Sequence, residues 1–178
     1  QQGCGGVPGR AKLVGRMPDL DTERRLETVK RLLEEEQFEE ARAASEAALA
    51  SLPASADPML IGSLQLGIIE AEMGRGRRTQ AIGFRCREVL AQVRGQHVEA
   101  EVRLCMLELG LELPEFGDDA RDSQVWLNER RRSLRPLQLA RLIVLEAAVA
   151  RLKGVEHGAC EVLRQGIDEL AGTSDQRL

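Results

Sequence analysis

Catalysis needs an acid, a base or a nucleophile held in a cleft, and this chain offers few residues to supply one. His97 and His157 are its two imidazoles; each falls near a helix start or turn, where a surface histidine is the simplest reading. The cysteines, Cys4, Cys86, Cys105 and Cys160, stand far apart. None forms CxxC, and none lies beside a histidine at metal-ligand spacing. That usage fits buried, reduced thiols and a cytoplasmic location. No Ser/His/Asp order, phosphate-binding glycine loop or HExxH pair occurs. The residues therefore point away from an enzyme and call for no metal or cofactor.

The charged residues are more numerous, but their pattern is that of solvated surface. Net charge is −4, with a pI near 5.4, which argues against general affinity for nucleic acid, where Lys and Arg must neutralise phosphates. Two basic clusters, Arg75/Arg77/Arg78 and Arg130/Arg131/Arg132/Arg135, are flanked by acids. Arg130–Arg132 would close a helix, where cations complement the negative end of its dipole. The acids between Glu34 and Glu40 read as solvent-facing. No apolar run reaches the ~18 residues of a membrane-spanning helix.

What positions these residues is a series of helices. Residues 1–20, with seven glycines and prolines between Gly3 and Pro18, read as a flexible leader. Helical periodicity begins at Asp21, taken as an N-cap, with Leu26, Val29, Leu32 and Leu33 on one face. Glu36-Gln37 is the turn, and Phe38 opens a second helix carrying Ala41, Ala44, Ala48 and Leu49 as far as Pro53. Asp57-Pro58 starts a third, proline being harmless at the first helical position. Leu60 to Met73 is apolar on more than one face and so should be central. After Gly74-Arg75-Gly76, residues 78–93 form its partner. A helix from His97 follows, then a turn at residues 113–117, then a helix capped by Asp118 or Asp119 that holds Trp126. Pro136 starts a seventh helix, Lys153-Gly154 turns, and Ala159, Leu163, Ile167 and Leu170 lie on the eighth. Residues 173–178 read as a tail.

Ala41, Ala81, Ala120 and Ala159 each lie just beyond an internal turn and recur about every 40 residues. Helix pairs of constant length that cannot bury their apolar faces alone must stack, and stacking gives a solenoid. The segment Phe38–Pro53, with its aromatic, small Ala41, Ala48 and closing proline, resembles the second half of a tetratricopeptide repeat. Across about residues 21–172 the chain resembles that family. The usual unit has about 34 residues; these longer ones are similar to the sensor arrays of bacterial regulators of the maltose-regulon-activator type.

The resemblance implies an all-α, right-handed solenoid of four helix–turn–helix units, acting as a scaffold that binds a peptide or helix of a protein partner in its concave groove. The groove residues it implies are Leu26, Lys30, Leu33 and Glu34 in the first unit, Gln65, Ile69 and Glu72 in the second, and Arg103 and Leu107 in the third. A clamp for a peptide's C-terminal carboxylate is not expected, since Asn128, the one asparagine, falls on a second helix. The alternative is a ligand-sensing segment of a larger transcriptional or signalling regulator. Terminal repeats expose apolar edges, so any homodimer should form through an array end, with Val162, Leu163, Ile167 and Leu170 as its apolar surface.

Overall fold

The computed structural model describes residues 20–93 and 97–175. All regular structure among them is helical. The eight α-helices are α1 (Leu20–Glu34), α2 (Phe38–Ala50), α3 (Pro58–Gly74), α4 (Gln80–Gln92), α5 (His97–Glu112), α6 (Gly117–Glu129), α7 (Pro136–Leu152) and α8 (Glu156–Asp175). Single 3₁₀ turns at Pro114–Phe116 and Arg131–Ser133 lead into α6 and α7. No helix among the described residues is long and apolar enough to cross a membrane.

Local chemistry sets most of the boundaries. The Asp57 carboxylate accepts a hydrogen bond from the Met59 N–H at 3.0 Å, with Pro58 at the first helical position. At the head of α7, Gln138 Oε1 accepts from the Arg135 N–H at 3.0 Å, next to Pro136. Three of the four internal turns share one device. The residue two beyond α1, α3 or α7 has a positive φ: Glu36 (56°), Gly76 (71°) and Gly154 (75°). The next N–H then reaches back to close the helix, from Gln37 to the Leu32 carbonyl, Arg77 to Glu72 and Val155 to Ala150. This is a Schellman closure. Glu36 makes it without the glycine that the left-handed conformation favours.

Packing follows chain order. Each helix of a pair lies against its mate, and α1, α3, α5 and α7 lie side by side, α1 on α3, α3 on α5 and α5 on α7. The buried residues form overlapping clusters along this row. Val29, Ala48 and Leu64 join α1, α2 and α3. Ile69, Met73, Cys86, Val89, Val102 and Leu109 join α3, α4 and α5. Leu104, Leu107, Leu127, Leu139 and Leu142 join α5, α6 and α7. Helices α3 and α5 thus contribute to clusters on both sides, the physical reason for their nearly all-round apolar sequence. Glycine brings α5 and α6 into close approach: a Cβ on Gly110 would run into that of Ala120.

Some expectations are corrected. Helix α1 begins at Leu20, so Asp21 lies in its first turn. Helix α6 has no side-chain cap; Asp118 and Asp119 lie in its first turn, where negative charge meets the positive helix end. Ala81 is exposed, and Ile82 and Gly83 are buried in its place. The Arg130–Arg132 cluster lies beyond the end of α6, and Arg131 reaches Glu146 on α7 at 2.8 Å and Glu169 on α8 at 2.9 Å. That role needs a particular geometry, beyond complementing a dipole. Helix α8 runs on to Asp175, past the expected start of the tail at residue 173. The leader is expected to run to residue 20, but Leu20 already belongs to α1; residues 1–19, with Cys4, and residues 94–96 and 176–178 lie outside the described residues.

Candidate functional site

The row of first helices walls a cavity of about 630 Å³. Lys30, Leu33 and Glu34 come from α1, Phe38 from α2, and Glu70, Met73 and Gly74 from α3. Arg78 comes from the turn before α4, Glu108 from α5, and Leu137 and Arg141 from α7. An adjoining space of about 500 Å³ shares Glu70, Leu137 and Arg141 and adds Glu101, Gln138, Ala140 and Val144. Apolar surface and charge therefore alternate along one hollow. Leu137 is 82% exposed and Val144 59%, so this wall keeps large apolar side chains uncovered.

The charges are organised around Glu108. Its carboxylate accepts from Arg78 at 2.5 Å and from Arg141 at 2.9 Å. Burial pushes the carboxyl up, but the hydrogen bonds and charges of Arg141 and Arg78 outweigh it and hold Glu108 below the ordinary glutamate value. Arg141 also approaches Glu101 at 3.7 Å, and Glu101 accepts from the Gln138 amide at 2.9 Å. Glu70 differs from these. It is partly exposed on the wall between the two spaces, and no hydrogen bond or close ion pair joins it to another described residue. Removal from water, with the Glu101 carboxylate adding and Arg141 opposing, pushes its carboxyl up to about 7.

The expected groove residues fall into two sets. Lys30, Leu33 and Glu34 all line the cavity. Leu26 instead packs in the cluster of α1, α2 and α3. Ile69 and Leu107 are core, 0% and 3% exposed, because their helices are covered on both sides. Glu72 turns away toward α2, where it pairs with Arg42 at 3.0 Å beside a smaller cavity of about 170 Å³. Gln65 is half-buried on α3 and lines neither space. Arg103 lies against α6: it bonds Glu99 at 2.8 Å and stacks on the Trp126 ring, 4.8 Å from its centroid.

The lining residues not anticipated include Glu70, Arg78, Glu108, Leu137 and Arg141. A sequence signal existed for the first of these. Carrying Lys30, Leu33 and Glu34 forward by the interval from Glu36 to Gly76 lands on Glu70, Met73 and Gly74. Arg141 and Glu108 had no such signal, since their pairing depends on how far α5 and α7 slide past one another.

The remaining reactive groups sit elsewhere. Cys86 and Cys105 are buried free thiols and Cys160 is exposed. Burial pushes Cys105 up to about 12 and also raises Cys86. His157 is exposed. Among the described residues, no group of three or more His, Cys, Asp or Glu is placed to hold a metal ion. No family model matches the chain, and no curated protein or solved structure matches it.

Proposed function

We propose that this chain is a tetratricopeptide-like, right-handed solenoid of four helix pairs that works as a protein-interaction scaffold. A peptide or helix of a partner protein lies along the concave row of first helices, held by apolar contacts and charge pairs. One observation carries this reading: α1, α3, α5 and α7 all contribute side chains to a single cavity, with Leu137 uncovered on its wall. Nearest-neighbour packing and the recurring left-handed turn support the repeat. The test is comparative capture from lysate, with the intact chain set against Lys30→Glu/Glu34→Lys. A specific partner should be lost from the variant while its circular dichroism and Tm stay unchanged. Equal recovery rejects this groove.

The convergence of Arg78, Arg141, Glu101 and Glu108 favours a second reading, in which a small molecule fills the hollow of a sensor segment within a larger regulator. A thermal-shift screen of small metabolites separates the two. A saturable rise in Tm that is lost in Arg141→Ala supports the sensor, and no rise supports the scaffold.

A further inference from the structure

The cavity is not electrically balanced, and the imbalance is local. Arg78 and Arg141 are committed to Glu108, with Arg141 also near Glu101. Lys30 on α1 lies 3.8 Å from Glu27 on its own helix, and Glu34 on the same helix is exposed. Around Glu70 the structure thus sets Lys30 and Glu34 from α1, Glu101, Glu108 and Cys105 from α5, Arg78 from the turn and Arg141 from α7. The cations that could have neutralised Glu70 are closest to other carboxylates. Its carboxylate faces both spaces unpaired; Leu33, Met73 and Leu137 line the larger space with it, and Leu137 lines the smaller one too. A carboxylate half out of water, without a partner and bordered by apolar surface, is complementary to a cation on an apolar stem.

From this geometry we infer that Glu70 anchors a lysine or arginine side chain of the bound segment, so that the partner is a basic, amphipathic peptide or helix. The inference rests on the groove reading above. The stem of the bound side chain lies on Leu33 and Leu137, and its charged end meets Glu70 between the two spaces. An acidic partner would leave Glu70 facing its own sign of charge, and a purely apolar one would leave it unpaired and further desolvated. Because the Glu70 carboxyl sits near 7, affinity for such a segment rises as the group ionises. If only the ionised form binds, Kd falls roughly tenfold between pH 6 and pH 8.

The experiment selects a phage-displayed library of random dodecapeptides on the full chain at pH 8. Enriched peptides are then synthesised with a fluorescent label, and their Kd is measured by anisotropy at pH 6 and pH 8 for wild type, Glu70→Gln and Leu33→Glu. The expected result is enrichment of Lys or Arg at one fixed position, a Kd lower at pH 8, and loss of most of that pH dependence in Glu70→Gln. Binding should be abolished in Leu33→Glu, with circular dichroism showing that this variant is folded. Groove-sensitive binders with no basic position, or with the same pH dependence in Glu70→Gln, overturn the inference and leave the groove reading standing. An absence of binders, or binders indifferent to Leu33→Glu in the folded variant, overturns both.

Discussion

Glu70 makes a prediction that needs no ligand. Its carboxyl is raised from the ordinary glutamate value to about 7 in the folded chain, so between about 4.5 and 7 the folded state binds more protons than the unfolded state. Its effect on stability is therefore fully retained at low pH and is lost as pH rises through 7. Glu70→Gln removes this loss. The variant should gain on the order of 1–2 kcal/mol over wild type at pH 8 and nothing at pH 4.5, read from urea midpoints at the two pH values. A variant less stable at pH 8 would mean that the ionised carboxylate has a partner. The thiols offer an independent check of burial. Cys105 is raised to about 12 and Cys86 is raised too, and thiolate is the reactive form. A thiol reagent under native conditions, mapped by mass spectrometry, should modify Cys160 and spare Cys86 and Cys105 until the chain unfolds. The sequence suggested buried thiols from their isolation. It could not distinguish Cys160, because exposure on the outer face of α8 depends on what covers that helix.

At the scale of the element, helix starts were legible where one residue decides them, as at Asp57-Pro58 and Pro136. The ends of the first helices were placed by their turns as well, but not the geometry of every turn. Residue 36 adopts the same left-handed closure as Gly76 and Gly154, but Glu36 gives no sequence sign of it. Glu36→Gly should relieve that conformation and stabilise the chain by about 0.5–1 kcal/mol, while Gly76→Ala should cost about 1 kcal/mol or more, both measured by chemical denaturation. If Glu36→Gly is destabilising, the entropy of the unfolded chain outweighs the strain. Gly110 acts through contact instead. Its alanine variant would press against the Cβ of Ala120, a short group that cannot rotate aside, so α5 and α6 must separate. A loss of about 1–3 kcal/mol is expected, with the groove face of α5 unaltered in any binding assay. Of the four recurring alanines, Ala41, Ala120 and Ala159 are buried and Ala81 is not. In α4 the buried stripe runs through Ile82, Gly83, Cys86 and Val89, one position further round the helix. Abundant alanines do not reveal such a shift.

The whole molecule is held by neighbours. The overlapping clusters pass from α1–α3 to α3–α5 to α5–α7, and the main helix contacts join elements close in the chain. Such an arrangement divides into local units whose stabilities depend on how many sides are covered. Helices α3 and α5 are buried on two sides. Among the described side chains of α8 only Ala159 and Gly166 are buried, and Ile167 remains 66% exposed. Native-state hydrogen exchange should therefore rank the amides. Those of α3 and α5 should exchange only through the largest openings, while those of α1 and α8 should open at free energies lower by about 1 kcal/mol or more. Ile167→Lys should leave the α3 and α5 rates unchanged, since no cluster of the central helices includes that side chain. If sedimentation shows a dimer for wild type and a monomer for this variant, α8 has a second copy against it, and its amides should be slower in the dimer. Equal protection across all eight helices would instead show one cooperative block, and stability could not then be apportioned pair by pair along the chain.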